Sequence, residues 1–189
     1  ESKKRLIAYH EIGHALVSSL IKNSEKVDKV TILPKSGGVG GFTRFMPNEE
    51  DLDSGLITKS QLFSRIIVAL GGRAAEIVVF GINEVTQGAT SDISYVSRLA
   101  REMVTLYGFS SLGPISFQSD SNEVFLGRDL INRNYKYAQK TSSDVDQAIR
   151  SIAINSLNIA VDILKTNRQT MEVLVDSLVE NETLTYDDF

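Results

Sequence analysis

The clearest periodicity in the chain lies between Thr90 and Tyr107. There Ile93, Val96, Leu99, Ala100, Met103 and Val104 recur three and four positions apart and predict one apolar stripe on a helix. An earlier segment, Lys3 to about Ile21, also reads as a helix, with Ser2 placed to cap it and Gly13 as its one helix-weakening residue. Val27 to Leu33 has strand character, with Val30 and Ile32 on one face, and Phe42 to Met46 predicts a second strand closed by Pro47. The glycine-dense stretch Gly37-Gly38-Val39-Gly40-Gly41 turns between them, and Asn48 to Gly55 reads as an acidic loop.

Thr58-Lys59-Ser60-Gln61 has the form of a capping box, so a helix is expected from there towards Phe80, with Gly71-Gly72 marking close packing or a bend. Gly108 to Gly127 is loop-rich, and Arg128 to Thr141 has no pattern that assigns it. A long helix is expected from Ser142 or Ser143 to about Thr166, and a last one from about Arg168 to Glu180. Two weak strands among five or so helices make a mostly helical α+β domain. A single domain spanning 1–189 is expected, with residues 1–141 carrying a small β element and 142–189 forming a C-terminal helical bundle.

Composition narrows the function. The 189 residues are 42% apolar and 23% charged, the balance of a globular domain. Net charge is -4 and no basic block occurs beyond Lys3-Lys4-Arg5, so nucleic acid is not an expected partner. The absence of cysteine excludes disulfides, thiolate metal sites and cysteine nucleophiles together. The longest unbroken aliphatic run, Ile66 to Leu70, is far short of the roughly 20 residues that a membrane span needs. With no leader pattern and a start at Glu1, the chain is expected to be a soluble domain of a longer protein.

Candidate chemistry centres on His10-Glu11-Ile12-Gly13-His14. Histidines four apart on a helix lie on one face, one turn from each other, so two neutral imidazole nitrogens can reach one zinc ion. Glu11 lies about a hundred degrees round the helix from His10, within reach of a water at the metal without being a ligand, as a general base would be. The chain has two histidines, and this arrangement would arise by chance roughly once in 1,500 placements. A catalytic zinc usually keeps three protein ligands. With both histidines used and cysteine absent, the third must be a carboxylate if the site is complete within the chain. Glu76, in Gly71-Gly72-Arg73-Ala74-Ala75-Glu76, and Asp92, at the start of the Thr90 helix, both qualify, and spacing alone leaves them open.

Several segments together resemble the peptidase domain of the FtsH-type ATP-dependent zinc metalloproteases, over essentially the whole chain. They are Ala8-Tyr9-His10-Glu11-Ile12-Gly13-His14-Ala15, Lys29-Val30-Thr31-Ile32-Leu33-Pro34, Leu70-Gly71-Gly72-Arg73-Ala74-Ala75-Glu76 and Thr86-Gln87-Gly88-Ala89 with Asp92. Tyr107-Gly108-Phe109-Ser110, Leu112-Gly113-Pro114 and Phe125-Leu126-Gly127 continue the match. The resemblance implies a zincin-like metalloprotease fold, Zn2+ held by His10, His14 and Asp92, Glu11 as catalytic base, and Glu76 beside the ligands rather than among them. Ile12 stands where alanine is more usual, Lys35-Ser36 where an Arg-Gly pair is, and Val96-Ser97 where an Ala-Thr pair is. None of these departures removes a catalytic group.

The segment Val39 to Met46 reads by itself either as a glycine-rich hairpin or as an edge strand that can pair with an extended peptide. The resemblance implies the second, with Gly40, Gly41, Phe42 and Thr43 binding substrate. Gly37 to Gly41 lacks the lysine and hydroxyl residue of a phosphate loop. ATP and Mg2+ are therefore expected only in an ATPase module outside this chain. The resemblance further implies N-terminal membrane segments, a homo- or hetero-hexamer and unfolded polypeptide substrates. The membrane would be the bacterial cytoplasmic, thylakoid or mitochondrial inner one. The competing expectations are a catalytically silent structural or chaperone subunit of the same hexamer, and a zinc hydrolase acting on small molecules.

Overall fold

Among the described residues the first helix carries the densest run of buried positions, Ala8 to Ser18 without the partly exposed His10. In a computed structural model, which describes residues 2–34, 40–117 and 128–189, α1 spans Ser2–Leu20 and packs against the helices at Gly71–Phe80 (α4), Arg168–Asn181 (α7) and Lys59–Ala69 (α3) and the strand at Lys26–Thr31 (β1). Ser2, expected as its cap, is already helical. Of the expected glycine turn, residues 37–39 lie outside the described residues, as do Lys35-Ser36 and Phe125-Leu126-Gly127.

By its contacts the chain divides into two units, Glu1–Val96 with Asn155–Phe189, and Ser97–Ile154. The first unit holds a three-stranded sheet ordered β2-β1-β3, with β1 at Lys26–Thr31, β2 at Phe42–Met46 and β3 at Thr183–Thr185. Both pairings are antiparallel. Val30 faces Thr43 on one side and Leu184 on the other, and a bulge at Asp28 shifts the register between Val27 and Lys29. Three residues are too few for a sequence pattern to mark β3. It is set by the end of α7 (Arg168–Asn181), where Glu182 takes a left-handed conformation with φ 61°. Its carbonyl accepts hydrogen bonds from Ile32 N at 3.1 Å and Thr31 Oγ1 at 2.9 Å.

The segment expected as an acidic loop instead contains a short helix, α2, at Glu49–Ser54. Pro47 precedes it, and Gly55 with φ 62° stops it. The helix expected from Thr58 towards Phe80 is two helices, α3 at Lys59–Ala69 and α4 at Gly71–Phe80. Its capping box forms, with Gln61 N donating to Thr58 Oγ1 at 3.2 Å and Thr58 N donating to Gln61 Oε1 at 2.7 Å.

Gly71 does more than allow the break. A Cβ on Gly71 would sit 2.6 Å from the Gly13 carbonyl oxygen, and one on Gly13 would sit 2.4 Å from that of Gly71. The backbones of α1 and α4 therefore touch at these two glycines. Fully buried alanines 8, 15, 74 and 75 belong to the same core.

Helix α5, Thr90–Thr105, belongs to the first unit up to Val96 and to the second beyond it. Its expected stripe is buried at Val96, Leu99, Ala100, Met103 and Val104, while Ile93 is largely exposed. Within the second unit the segment after α5 folds back, with Phe117 N donating to Thr105 O at 2.9 Å. Helix α6 begins at Arg128 rather than at Ser142 or Ser143 and runs to Thr166, a span without glycine or proline to interrupt it.

Adding a methyl at Gly13 pushes directly on backbone. Gly13→Ala is expected to destabilise the chain by about 2 kcal/mol, overpacking outweighing the better helix propensity of alanine. Urea unfolding of the variant checks this.

Candidate metal centre

Three ligand-capable atoms converge at the middle of α1. His14 Nε2 lies 3.1 Å from His10 Nε2, and Asp92 Oδ2 lies 3.3 Å from the first histidine's Nε2 and 3.5 Å from the second's. Ligands about 2.0 Å from one tetrahedral ion stand roughly 3.3 Å apart, so the spacing of this triangle fits one zinc-sized ion. These three side chains form the metal-capable cluster found among the described residues.

The outer nitrogens fix both rings. His10 Nδ1 donates to Glu76 Oε1 at 2.8 Å, and His14 Nδ1 donates to the Val68 carbonyl at 2.8 Å. Each Nε2 lone pair is thereby left for a metal, the arrangement by which a second shell orients ligand histidines. Room for the rings comes from Gly72, where a Cβ would lie 2.5 Å from His10 Nε2 and 2.6 Å from His14 Nε2.

Glu76 is fully buried and stands behind His10 rather than at the point of convergence. Its other oxygen accepts from Thr86 N at 2.6 Å. Asp92 enters from the first turn of α5, after the short 3-10 turn Gln87–Ala89. The structure thus brings together both histidines and Asp92, and gives the second carboxylate candidate a different set of contacts.

Glu11 lies one position from His10, 8% exposed, and its carboxylate accepts from the Thr43 hydroxyl at 2.7 Å. Strand β2 passes close here, since a Cβ on Gly41 would meet Thr31 O at 2.2 Å and Glu11 Cγ at 3.0 Å. Gly40, Gly41, Phe42 and Thr43 all line a cleft of about 950 Å³ together with His10, Glu11, His14 and Asp92. Ile7, His10, Glu11, His14 and Ser18 supply one continuous face of α1 to it. Of these four residues, Thr43 spends its hydroxyl on Glu11.

Sequence reasoning gave no role to Val68, which acts through a backbone carbonyl that any residue carries. The Thr43–Glu11 bond was equally hidden, because it depends on the β1–β2 register.

Charges in the cluster support one another. Burial works against charge on His10. Hydrogen bonds to Asp92 and Glu76 and the negative charges of Glu11 and Asp92 outweigh it, raising the pKa from 6.5 to about 9. Burial likewise opposes ionisation of Asp92 and Glu76. For Asp92 the histidine hydrogen bonds win, and for Glu76 those from His10 and Thr86 win, so both carboxyls titrate below their usual range.

A His-Glu-x-x-His helix meeting a carboxylate from the start of α5, beside a small sheet in a mostly helical chain, defines a zincin-like metallopeptidase domain. The chain belongs to peptidase family M41, whose profile matches residues 1–189. It is 42% identical over 187 residues to an ATP-dependent zinc metalloprotease FtsH of Trieres chinensis, covering 98% of this chain and 28% of that protein. To the protein of the same name in Mesomycoplasma conjunctivae it is 37% identical over 188 residues, covering 100% of this chain and 24% of that one. A chloroplastic FtsH metalloprotease of Arabidopsis thaliana is 40% identical over 186 residues, 98% of this chain and 26% of its own. The chain therefore spans about a quarter of the length of these relatives.

The raised His10 pKa has a definite sign. Its contribution to the stability of the metal-free protein is complete below pH 6.5 and is lost as the pH rises through about 9. A metal ligated by His10 must displace that proton. Binding at about pH 7.5 is expected to release close to one proton, and affinity to rise with pH up to about 9. Calorimetric zinc titrations in two buffers of different protonation enthalpy count the protons.

Proposed function

We propose that this chain is the zinc-dependent endopeptidase part of a larger ATP-dependent protease that degrades unfolded polypeptides. The observation that carries the reading is the convergence of His10, His14 and Asp92 beside the buried carboxylate of Glu11 in a cleft bordered by an edge strand.

His10 Nε2, His14 Nε2 and an Asp92 carboxylate oxygen would hold Zn2+. When bound, zinc supplies Lewis-acid polarisation of the scissile carbonyl and lowers the pKa of water to about 7. Glu11 is the general base. It removes a proton from the attacking water and returns it to the leaving amine nitrogen, a step that needs the carboxylate held in one place. The Thr43 hydroxyl does this holding at 2.7 Å. Glu76 and the Val68 carbonyl keep the imidazoles in the tautomer that presents Nε2.

Strand β2 stands at the sheet edge and lines the cleft, which suits an extended peptide laid beside Gly40 to Thr43. Backbone pairing of that kind tolerates many side-chain sequences and fits a protease that consumes unfolded chains.

The ATPase module, with its ATP and Mg2+, would belong to the remaining length of the protein. So would the membrane anchoring and the contacts that build a hexamer, for which the α6 and α7 region is the candidate surface. No helix among the described residues is long and apolar enough to cross a membrane. The names of the relatives, ATP-dependent zinc metalloproteases, support the ATP dependence, and one of them is chloroplastic. Membrane association of the full-length protein rests on the family resemblance alone.

Elemental analysis and cleavage of an unstructured peptide test the reading. Wild type and Glu11→Gln are each expected to hold about one zinc per chain, with the variant slower by roughly 10²–10⁴-fold. Asp92→Ala is expected to lose the metal, and Glu76→Ala to bind it about 10–100-fold more weakly. A folded wild type that takes up no supplied zinc would overturn the proposal. A zinc-loaded wild type that cleaves no faster than Glu11→Gln, both at background, would favour the silent-subunit reading.

A further inference from the structure

The contacts that fix His10 do not end at Glu76. Every polar group of Thr86 is engaged, three times by α4. Its N–H donates to Glu76 Oε2 at 2.6 Å, its hydroxyl to Glu76 Oε1 at 3.3 Å, and its carbonyl accepts from Arg73 Nη2 at 2.8 Å. Arg73 stands one turn before Glu76, so the two side chains grip Thr86 from one helix face. Thr86 Oγ1 also accepts from Gly88 N at 3.2 Å and so caps the 3-10 turn that runs directly into α5 and Asp92.

One residue thereby joins two parts of the metal centre. On one side is the carboxylate that orients His10. On the other is the start of the segment that delivers Asp92, six residues later.

Arg73 is an odd choice for packing. Its Nε is buried without a hydrogen-bond partner among the described residues, and such a desolvated donor costs stability that an apolar side chain would not. What the guanidinium does provide is the Nη2 bond to the Thr86 carbonyl.

We propose that Arg73 is a positioning residue for the metal centre, acting through Thr86 to hold His10 and Asp92 at ligand spacing. The proposal rests on the zinc reading above. Charge at Arg73 is incidental here, and its reach and donor geometry are what matter. A lysine in its place keeps a donor on a flexible stem and should satisfy the carbonyl in part.

The test measures Zn2+ affinity by competition with a chromophoric chelator, alongside the visible spectrum of the Co2+-loaded protein and the melting temperature of the metal-free protein. Arg73→Met is expected to bind Zn2+ about 10–100-fold more weakly and to shift the Co2+ bands. Arg73→Lys should recover part of the loss, and Thr86→Val should weaken binding several-fold. Combined with Glu76→Gln, Arg73→Met should cost less than the product of the two single effects, because both act on the same contacts.

Affinity and Co2+ spectrum unchanged within about twofold in Arg73→Met, with only the melting temperature lowered, would overturn the proposal and leave a packing role. If Arg73→Met does not fold, Arg73→Lys and Thr86→Val decide, and wild-type affinity in both overturns it. Wild type that binds no Zn2+ removes the zinc reading itself, whereas normal wild-type binding with unaffected variants removes this inference alone.

Discussion

The close crossing of α1 and α4 is the constraint on which the rest depends. Gly13 and Gly71 let the two backbones meet at a distance no Cβ permits. That approach sets the face of α1 bearing His10 and His14 against the start of α4, and Gly72 leaves the space the imidazoles fill. Glu76, one turn further along α4, then falls behind His10 at hydrogen-bond distance. A wider crossing would part the ring from its carboxylate and leave both buried and unsatisfied, which is more costly than an apolar core.

The same network has two electrostatic faces. Glu76 is fully buried yet remains a carboxylate because it accepts from one imidazole and from both donors of Thr86. Negative charge collected around His10 raises its affinity for a proton, and it would raise the affinity for a divalent cation by the same physics. Preorganisation for a metal and competition from protons are thus one property of the cluster.

The sheet contributes position rather than bulk. Glu182, in its left-handed conformation, ties the end of α7 to β1, and β1 in turn sets the register of β2. That register brings Thr43 to the Glu11 carboxylate and Gly41 against its side chain. Residues at the two ends of the chain therefore cooperate in placing a single side chain near its beginning.

Local patterns decided much of this in advance. The i, i+4 histidines, the capping box at Thr58, the stripe on α5 and the Phe42 to Met46 strand each depend on residues close in sequence, where periodicity and capping chemistry act directly. The long reach of α6 was half legible, since no residue interrupts it from Arg128 onwards, although its first part shows no apolar pattern. The three-residue strand β3 carried no pattern long enough to read, and α2 replaced an expected loop. Glu76 and Asp92 stood equal in the sequence read without family resemblance, because both are acidic residues near glycine turns. What separates them is the ring nitrogen of His10 that each reaches, Nδ1 for Glu76 and Nε2 for Asp92, and that is set by packing between segments 66 and 82 residues away. The chain's own order thus determined which groups could serve a metal, and only the tertiary structure decided which of them meet, because a helix crossing and a strand register are properties of no single segment.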